Sequence, residues 1–506
     1  MIWMMGRRNR ALIGFVLAVW LGITPSAWAE LQDGNWFRYS TEHFQVYSKT
    51  REKEVAARIH DLETFRATVL AFLNIKDRGN FGQVTKIFLL SNQKDIRRVF
   101  KVENASGFMR PGIRENLLVV GRVGAGSSRN TNHIAFHEYV HYLLRNASAH
   151  QYPTWWDEGI AELFATTSFK RGRALVGEAP AGASLTSQLY GDIPVRELLD
   201  VSGTGRLSRS NRHRFYVRSW LLVHYITLSS ESRERKYMAA TSRYLQRHNQ
   251  GDLTPETFKE LFGIEPEVLD SRLLRYASQR KPGLAIPLES IEFDPSYARE
   301  ALSKDEIAYE LAYQTMLQNT PYARLRFEEI LRDDPDNARA LAGLGVIHQV
   351  GKDYEKAEQL MRRVIALAEG DYLLHIELAD MLRQRCGPNG VDCPAGVDVD
   401  EVDASYRRAY ELNPEGLETQ AKYGLSLLVA NKPDAAVAFL SRAWRLSPSS
   451  SWIVVNLGRA YLAQSNFVEG KRLLNVALGW AADSPQAREQ IQSLLDEAED
   501  RERTIP

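Results

Sequence analysis

Cysteine is almost absent: the 506 residues contain two, Cys386 and Cys393. That scarcity excludes a disulfide-stapled scaffold, and it excludes zinc centres built from paired thiolates, which need closer spacing and a second pair. The two that exist bracket the loop "CGPNGVDC" and read as one small disulfide in an oxidising compartment. So short a ring contributes at most about 2–3 kcal/mol.

A charge of one sign is also missing, since 64 Lys and Arg meet 63 Asp and Glu. With no concentrated basic patch, nothing points to nucleic acid. The balance conceals an asymmetry. Residues 30–300 carry 38 Lys and Arg against 31 Asp and Glu, whereas residues 301–506 carry 23 against 32. Two domains of opposite sign are expected, able to attract each other or to divide the recognition of a partner.

Beyond the first 29 residues there is no apolar run long enough for a membrane span. Those 29 read as a secretory signal: Arg7, Arg8 and Arg10, an apolar run from Ala11 to Ile23 that falls short of the ~20 residues a span needs, then Ala27-Trp28-Ala29 before Glu30. The expectation is an exported, periplasmic protein with no membrane span after cleavage.

What is present alternates first. "NWFRYS" and "HFQVYSK" have the period-two apolar spacing of strands, Arg51 to Leu73 has helical period, and "VTKIFLL" and "ENLLVVG" read as strands around the short helix "NQKDIRRVF". "GRVGAGSSRNTN" reads as a loop, with Asn130 or Thr131 capping the next helix. The chain is mostly helical from Phe215 to about Arg280, and "KPGLAIPLESIEFDPS" reads as a linker. Thereafter small residues recur at Gly345, Ala379, Gly424 and Gly458, at spacings of 34, 45 and 34; the middle interval holds one period plus an insertion that includes the cysteine loop. Pro335, Pro414 and Pro448 close second helices of helix-turn-helix units. This region resembles the tetratricopeptide repeat family, which implies a solenoid of about five units over 304–484, a capping helix and tail over 485–506, and a protein partner bound through the repeats.

The chemistry centres on "AFHEYVHYLLR", Ala135 to Arg145. On a helix, residues four apart share a face, so His137 and His141 can aim at one ion with Glu138 beside them. The same stretch also suits a plain amphipathic helix burying Phe136, Val140, Leu143 and Leu144. A metal site makes a further demand, because two imidazoles do not complete it. Downstream, "PTWWDEGIAELFA" opens a helix in which Glu158 and Glu162 lie one turn apart, so that one can bind metal while the other holds a ligand histidine.

HExxH followed by a glutamate-bearing helix resembles the gluzincin, peptidase-MA-like zinc metallopeptidases. That resemblance implies an α+β domain over residues 30–280, a 281–303 linker before the all-α solenoid, Zn2+ held by His137, His141 and Glu158, an outer role for Glu162, and Glu138 as the base that takes a proton from water. It also implies an oxyanion donor from a later helix, where Tyr216 fits and His213 and His224 compete. "GIREN", Gly112 to Asn116, is similar to the aminopeptidase strand that binds a free amino terminus, and reads first as an edge strand. The implied activity is hydrolysis of a polypeptide, endopeptidase ahead of aminopeptidase. The competing reading is a periplasmic scaffold or chaperone-like adaptor in which the repeats carry the function.

Overall fold

The computed structural model describes residues 31–77, 83–103, 107–121, 133–147, 152–179, 193–200, 207–250, 253, 256–279, 283–386, 398–481 and 484–504. The expected signal (1–29), the loop with its cap at Asn130 or Thr131, and Cys393 lie outside these. Cys386 is disulfide-bonded.

The first domain is built on strands β1 (Phe37–Ser40), β2 (Phe44–Ser48), β3 (Thr85–Leu90), β4 (Gly107–Arg110) and β5 (Asn116–Gly121). Helix α1 (Glu52–Leu73) connects β2 to β3, which run parallel, as do β3 and β5. After β5 come α2 (His133–Ala147), α3 (Thr154–Ala165), the hairpin β6 (Ser168–Lys170) and β7 (Arg173–Val176), then α4 (Val195–Asp200) and α5 (Arg209–Leu228). Helices α6 (Ser230–Arg235), α7 (Tyr237–Gln250), α8 (Thr257–Phe262) and α9 (Pro266–Ser278) complete the helical part.

The stretch expected as a linker, 281–303, is described from residue 283 onwards and carries strands. It supplies β8 (Leu284–Pro287), which pairs with β7, and β9 (Ala298–Ala301), which pairs with β1. The six-stranded sheet therefore runs β4-β5-β3-β2-β1-β9, and a second sheet runs β6-β7-β8. Backbone groups at the β1 and β7 edges need partners, and this segment provides them, whatever its turn-rich composition.

Period two divides the large sheet between two cores. Val46, Ile87, Leu118 and Val120 face α1 and α2, joining Phe65, Phe136, Val140 and Leu143. Tyr47, Phe88, Leu117 and Val119 face the other way, where they meet Ile307, Leu311 and Tyr322. Those last three belong to the repeats, so the repeats cover a face of the sheet that would otherwise be bare.

The repeats are five antiparallel pairs: α10 (Lys304–Thr315) with α11 (Thr320–Asp333), α12 (Ala338–Val350) with α13 (Tyr354–Leu367), α14 (Tyr372–Arg385) with α15 (Val399–Leu412), α16 (Leu417–Val429) with α17 (Pro433–Leu446), and α18 (Ser451–Ala463) with α19 (Phe467–Trp480). A single helix, α20 (Pro485–Thr504), follows and buries Ile491, Leu495 and Ala498. The recurring small residues sit where paired helices touch. A Cβ on Gly424 would lie 2.9 Å from Leu440, and one on Gly458 would lie 3.1 Å from Leu474. Side chains capping backbone N–H groups start many of these helices, among them Ser303, Asn337, Asp353 and Ser450. No helix among the described residues is long and apolar enough to cross a membrane.

Candidate metal centre

Helix α2 forms because its apolar residues recur at helical spacing. Phe136, Tyr139, Val140, Leu143 and Leu144 are all buried, with Phe136 stacked on Phe65 of α1 at 3.8 Å. That stripe fixes the helix in rotation and turns His137 and His141, themselves buried, towards α3. Helix α3 follows Pro153, buries Trp155, Trp156, Ile160 and Phe164, and is pressed against α5 at Gly159. A Cβ there would lie 2.5 Å from Val223 Cγ2 and 2.6 Å from the Ser219 carbonyl oxygen. Glycine after Glu158 is thus demanded by the close crossing of two helices, and the crossing holds Glu158 opposite the histidines.

The three side chains converge. His137 Nε2 and His141 Nε2 lie 3.2 Å apart, and Glu158 Oε2 is 3.3 Å from the first and 3.4 Å from the second. A tetrahedral ion with bonds of about 2.0–2.1 Å spaces its ligand atoms about 3.3–3.4 Å apart. The observed triangle has that size. Glu158 Oε2 is buried without a hydrogen bond of regular geometry, its near neighbours being the two imidazole nitrogens. Among the described residues, this trio is the one group of three or more His, Cys, Asp or Glu side chains whose donor atoms gather closely enough to hold an ion.

Outer partners orient the rings. His137 Nδ1 is 3.2 Å from Glu162 Oε1, and the other oxygen of Glu162 is 3.3 Å from His133 Nε2. His141 Nδ1 is 3.0 Å from Asp157 Oδ1, and Arg145 donates to Asp157 Oδ2 at 3.0 Å. The Asp157 carboxylate, hydrogen-bonded to His141 Nδ1, keeps the proton on that nitrogen and leaves the Nε2 lone pair free for a metal. Burial works against charge on both imidazoles, but Glu158 and Glu162 raise His137 well above its usual range, and Asp157 and Glu158 raise His141 to about 9. Burial likewise opposes ionisation of Glu158, yet the two imidazoles bring its carboxyl down to about 2. Glu162 and Asp157 are held low in the same way.

The sequence reading placed Glu162 in an outer role and passed over Asp157 and His133. A signal for Asp157 existed: each ligand histidine wants a carboxylate on its second nitrogen, and Glu162 can serve only one. Glu138 is half-buried on α2 beside His137. Of the three oxyanion candidates, Tyr216 is half-buried with its ring 5.9 Å from that of His137. His213 is exposed, and His224 is buried against Trp220, with Nδ1 2.8 Å from the Tyr276 hydroxyl.

"GIREN", Gly112 to Asn116, forms the turn into β5. Residues 111–115 connect antiparallel strands β4 and β5, with Pro111 and Gly112 interrupting the ladder, so the motif is a hairpin loop and β4 is the edge strand. Glu115 pairs with Lys86 at 2.8 Å, and Lys86 reaches Glu310 of the repeats at 2.9 Å. Arg114 enters the repeats, donating to Glu418 at 2.8 and 3.0 Å and to Glu377 at 2.5 Å. At Arg114 and Lys86 the first domain contributes the cations and the repeats the anions, in keeping with the charge asymmetry between the two halves.

Family models for the tetratricopeptide repeat match residues 317–372 and 427–495. No curated protein matches the chain in sequence. Similar solved structures include a thermophilic tetratricopeptide-repeat protein of Thermus thermophilus, at 19% identity over 38% of this chain and 98% of that one, TM-score 0.31. PilF of Pseudomonas aeruginosa is 16% identical over 38% of this chain and 90% of that one, TM-score 0.30. YrrB, described as having an unusual peptide-binding site, is 16% identical over 37% and 90%, TM-score 0.28. By the family models, the C-terminal array is a tetratricopeptide-repeat solenoid, a module of protein–protein contact.

Proposed function

We propose that the chain is an exported zinc-dependent peptidase of gluzincin type whose repeats make the protein contacts. The observation that carries this reading is the triangle of His137, His141 and Glu158 donor atoms, 3.2–3.4 Å on each side. Zinc held there would supply a Lewis acid for a peptide carbonyl and an acidified water. Asp157 and Glu162 keep the imidazole rings in register. Glu138 accepts the proton of the attacking water and passes it to the leaving amine. Tyr216 donates its phenol to the developing oxyanion. The disulfide at Cys386 suits the oxidising periplasm to which we assign the protein.

The test uses the chain from residue 30 onwards, with zinc content and cleavage of an unfolded polypeptide as readouts. Glu138→Gln is expected to keep its zinc and to lose cleavage by at least 100-fold. Equal cleavage by the unsubstituted chain and Glu138→Gln would end the peptidase reading.

A second reading is an adaptor in which the repeats carry the function and the zinc domain is weakly active or inactive. The matched segments support it, since both lie in the repeats. A strain carrying Glu138→Gln that behaves normally, beside a repeat variant that does not, would favour the adaptor.

A further inference from the structure

The repeat array has a surface on which a partner would be expected to bind, and part of it is taken by the chain itself. The loop between β4 and β5 enters with two adjacent side chains. Ile113 packs against the cluster of Leu417, Ala421, Ala443 and Ile453, which Trp444 and Trp452 also border. Arg114 lies between α10, α14 and α16, bonded to Tyr313, Glu377 and Glu418. Its side chain is 18% exposed, and those of Glu377 and Glu418 are 16% and 9% exposed. The turn is held from behind, where Gln83 Nε2 donates to the Gly112 carbonyl oxygen at 2.6 Å.

Charge accounting gives this contact a meaning beyond packing. Asp380, half-buried one turn further along α14, has a cation of the repeats' own in Lys422, at 2.7 Å. Among the described residues, Glu377 and Glu418 have ion-pair partners only in Arg114. With the loop removed, the array would present two neighbouring carboxylates whose ion-pair partner among the described residues is gone, an arrangement that favours a cation from outside, a planar guanidinium above all. The apolar cluster fixes what must stand next to that cation. A cavity of about 330 Å3 continues from the site, lined by Tyr309, Tyr372, Arg339 and Asp371, and leaves room for flanking residues.

We propose that the Arg114 loop is a resident stand-in for a ligand, and that the site formed by Tyr313, Glu377, Glu418, Trp444 and Trp452 takes, from a partner polypeptide, a turn bearing an apolar residue followed by arginine. Recruitment through this site then proceeds by competition with the chain's own loop. The inference does not rest on the peptidase reading, since none of these residues belongs to the metal centre.

The probe is a head-to-tail cyclised peptide of residues 109–118, whose ends are neighbours in the β4–β5 register at Met109 and Leu118. A second ring carries alanine in place of the arginine. A tethered loop acts at an effective concentration on the order of mM, so the unsubstituted chain should resist micromolar peptide. By fluorescence anisotropy, the arginine ring is expected to bind full-length Arg114→Ala at least tenfold more tightly than the unsubstituted chain, and the alanine ring to bind neither. Equal binding to both proteins, or none to Arg114→Ala at millimolar peptide, overturns the proposal. A second measurement needs no variant. At several millimolar, the arginine ring should speed amide exchange at residues 112–116 of the unsubstituted chain while the alanine ring does not; unchanged exchange with the arginine ring also overturns it.

Discussion

The candidate metal centre and the Arg114 site in the repeats both bury charge, and they resolve the cost in different ways. At the first, two imidazole nitrogens and one carboxylate oxygen point at a common space, and the imidazoles are themselves the cationic partners of Glu158. At the second, two carboxylates close on a guanidinium that the chain supplies. Buried carboxylates need a cation in either case. On the proposed reading, the first site takes an ion from solution in place of the imidazole protons, and the other is satisfied from within until something displaces its arginine.

The largest effect that can break this comparison comes from removing a metal ligand. His141→Ala should lower zinc affinity by more than about 100-fold, past the roughly 10- to 100-fold typical of outer partners. Arg114→Ala should leave zinc content unchanged. Equilibrium dialysis against a zinc buffer reads both. If Arg114→Ala loses zinc as His141→Ala does, the two sites are not independent and the comparison fails.

Next in size is the link between repeats and sheet. Leu311 is fully buried on α10 in the cluster that covers Phe88 and Val119. Leu311→Ala should cost about 2–5 kcal/mol and should destabilise the sheet domain as well as the first repeat. Chemical denaturation followed by hydrogen exchange separates these. Loss of protection confined to the repeats would mean that the solenoid is an appendage and not part of the fold of the first domain.

How much of this was legible in the sequence depended on the range of the interaction. Strands β1 and β2 announced themselves through apolar residues at alternate positions, β3 and β5 through short, nearly continuous apolar runs, β5 being buried at every position, and helix α2 because its apolar stripe recurs every turn. Strand β9 is "AREA", exposed throughout and held by pairing with β1, so it carries no hydrophobic signal. The HExxH spacing is local and could be read. The partners of Arg114 lie 263 and 304 residues away, and no local pattern marks them. "GIREN" reads first as an edge strand because a short motif is all the sequence offers there. Gly159 shows the same limit, since its reason is α5, some sixty residues further on.

The smallest expected effect sharpens the account of the metal centre. Asp157 and Glu158 are consecutive, and consecutive helical residues point about 100° apart, so both serving one site was not an obvious reading. They do so because they reach different atoms of the same ring: Glu158 approaches His141 Nε2 and Asp157 approaches Nδ1. Asp157→Ala keeps all three ligands but frees the His141 ring to rotate and removes the acceptor that fixes its tautomer. Zinc affinity should fall by about 10- to 100-fold while the fold survives. Arg145→Ala, which takes away only the partner of Asp157, should do less. Should Asp157→Ala bind zinc as tightly as the unsubstituted chain, then the ring is held by packing within α2, and the carboxylate behind it is incidental to the metal.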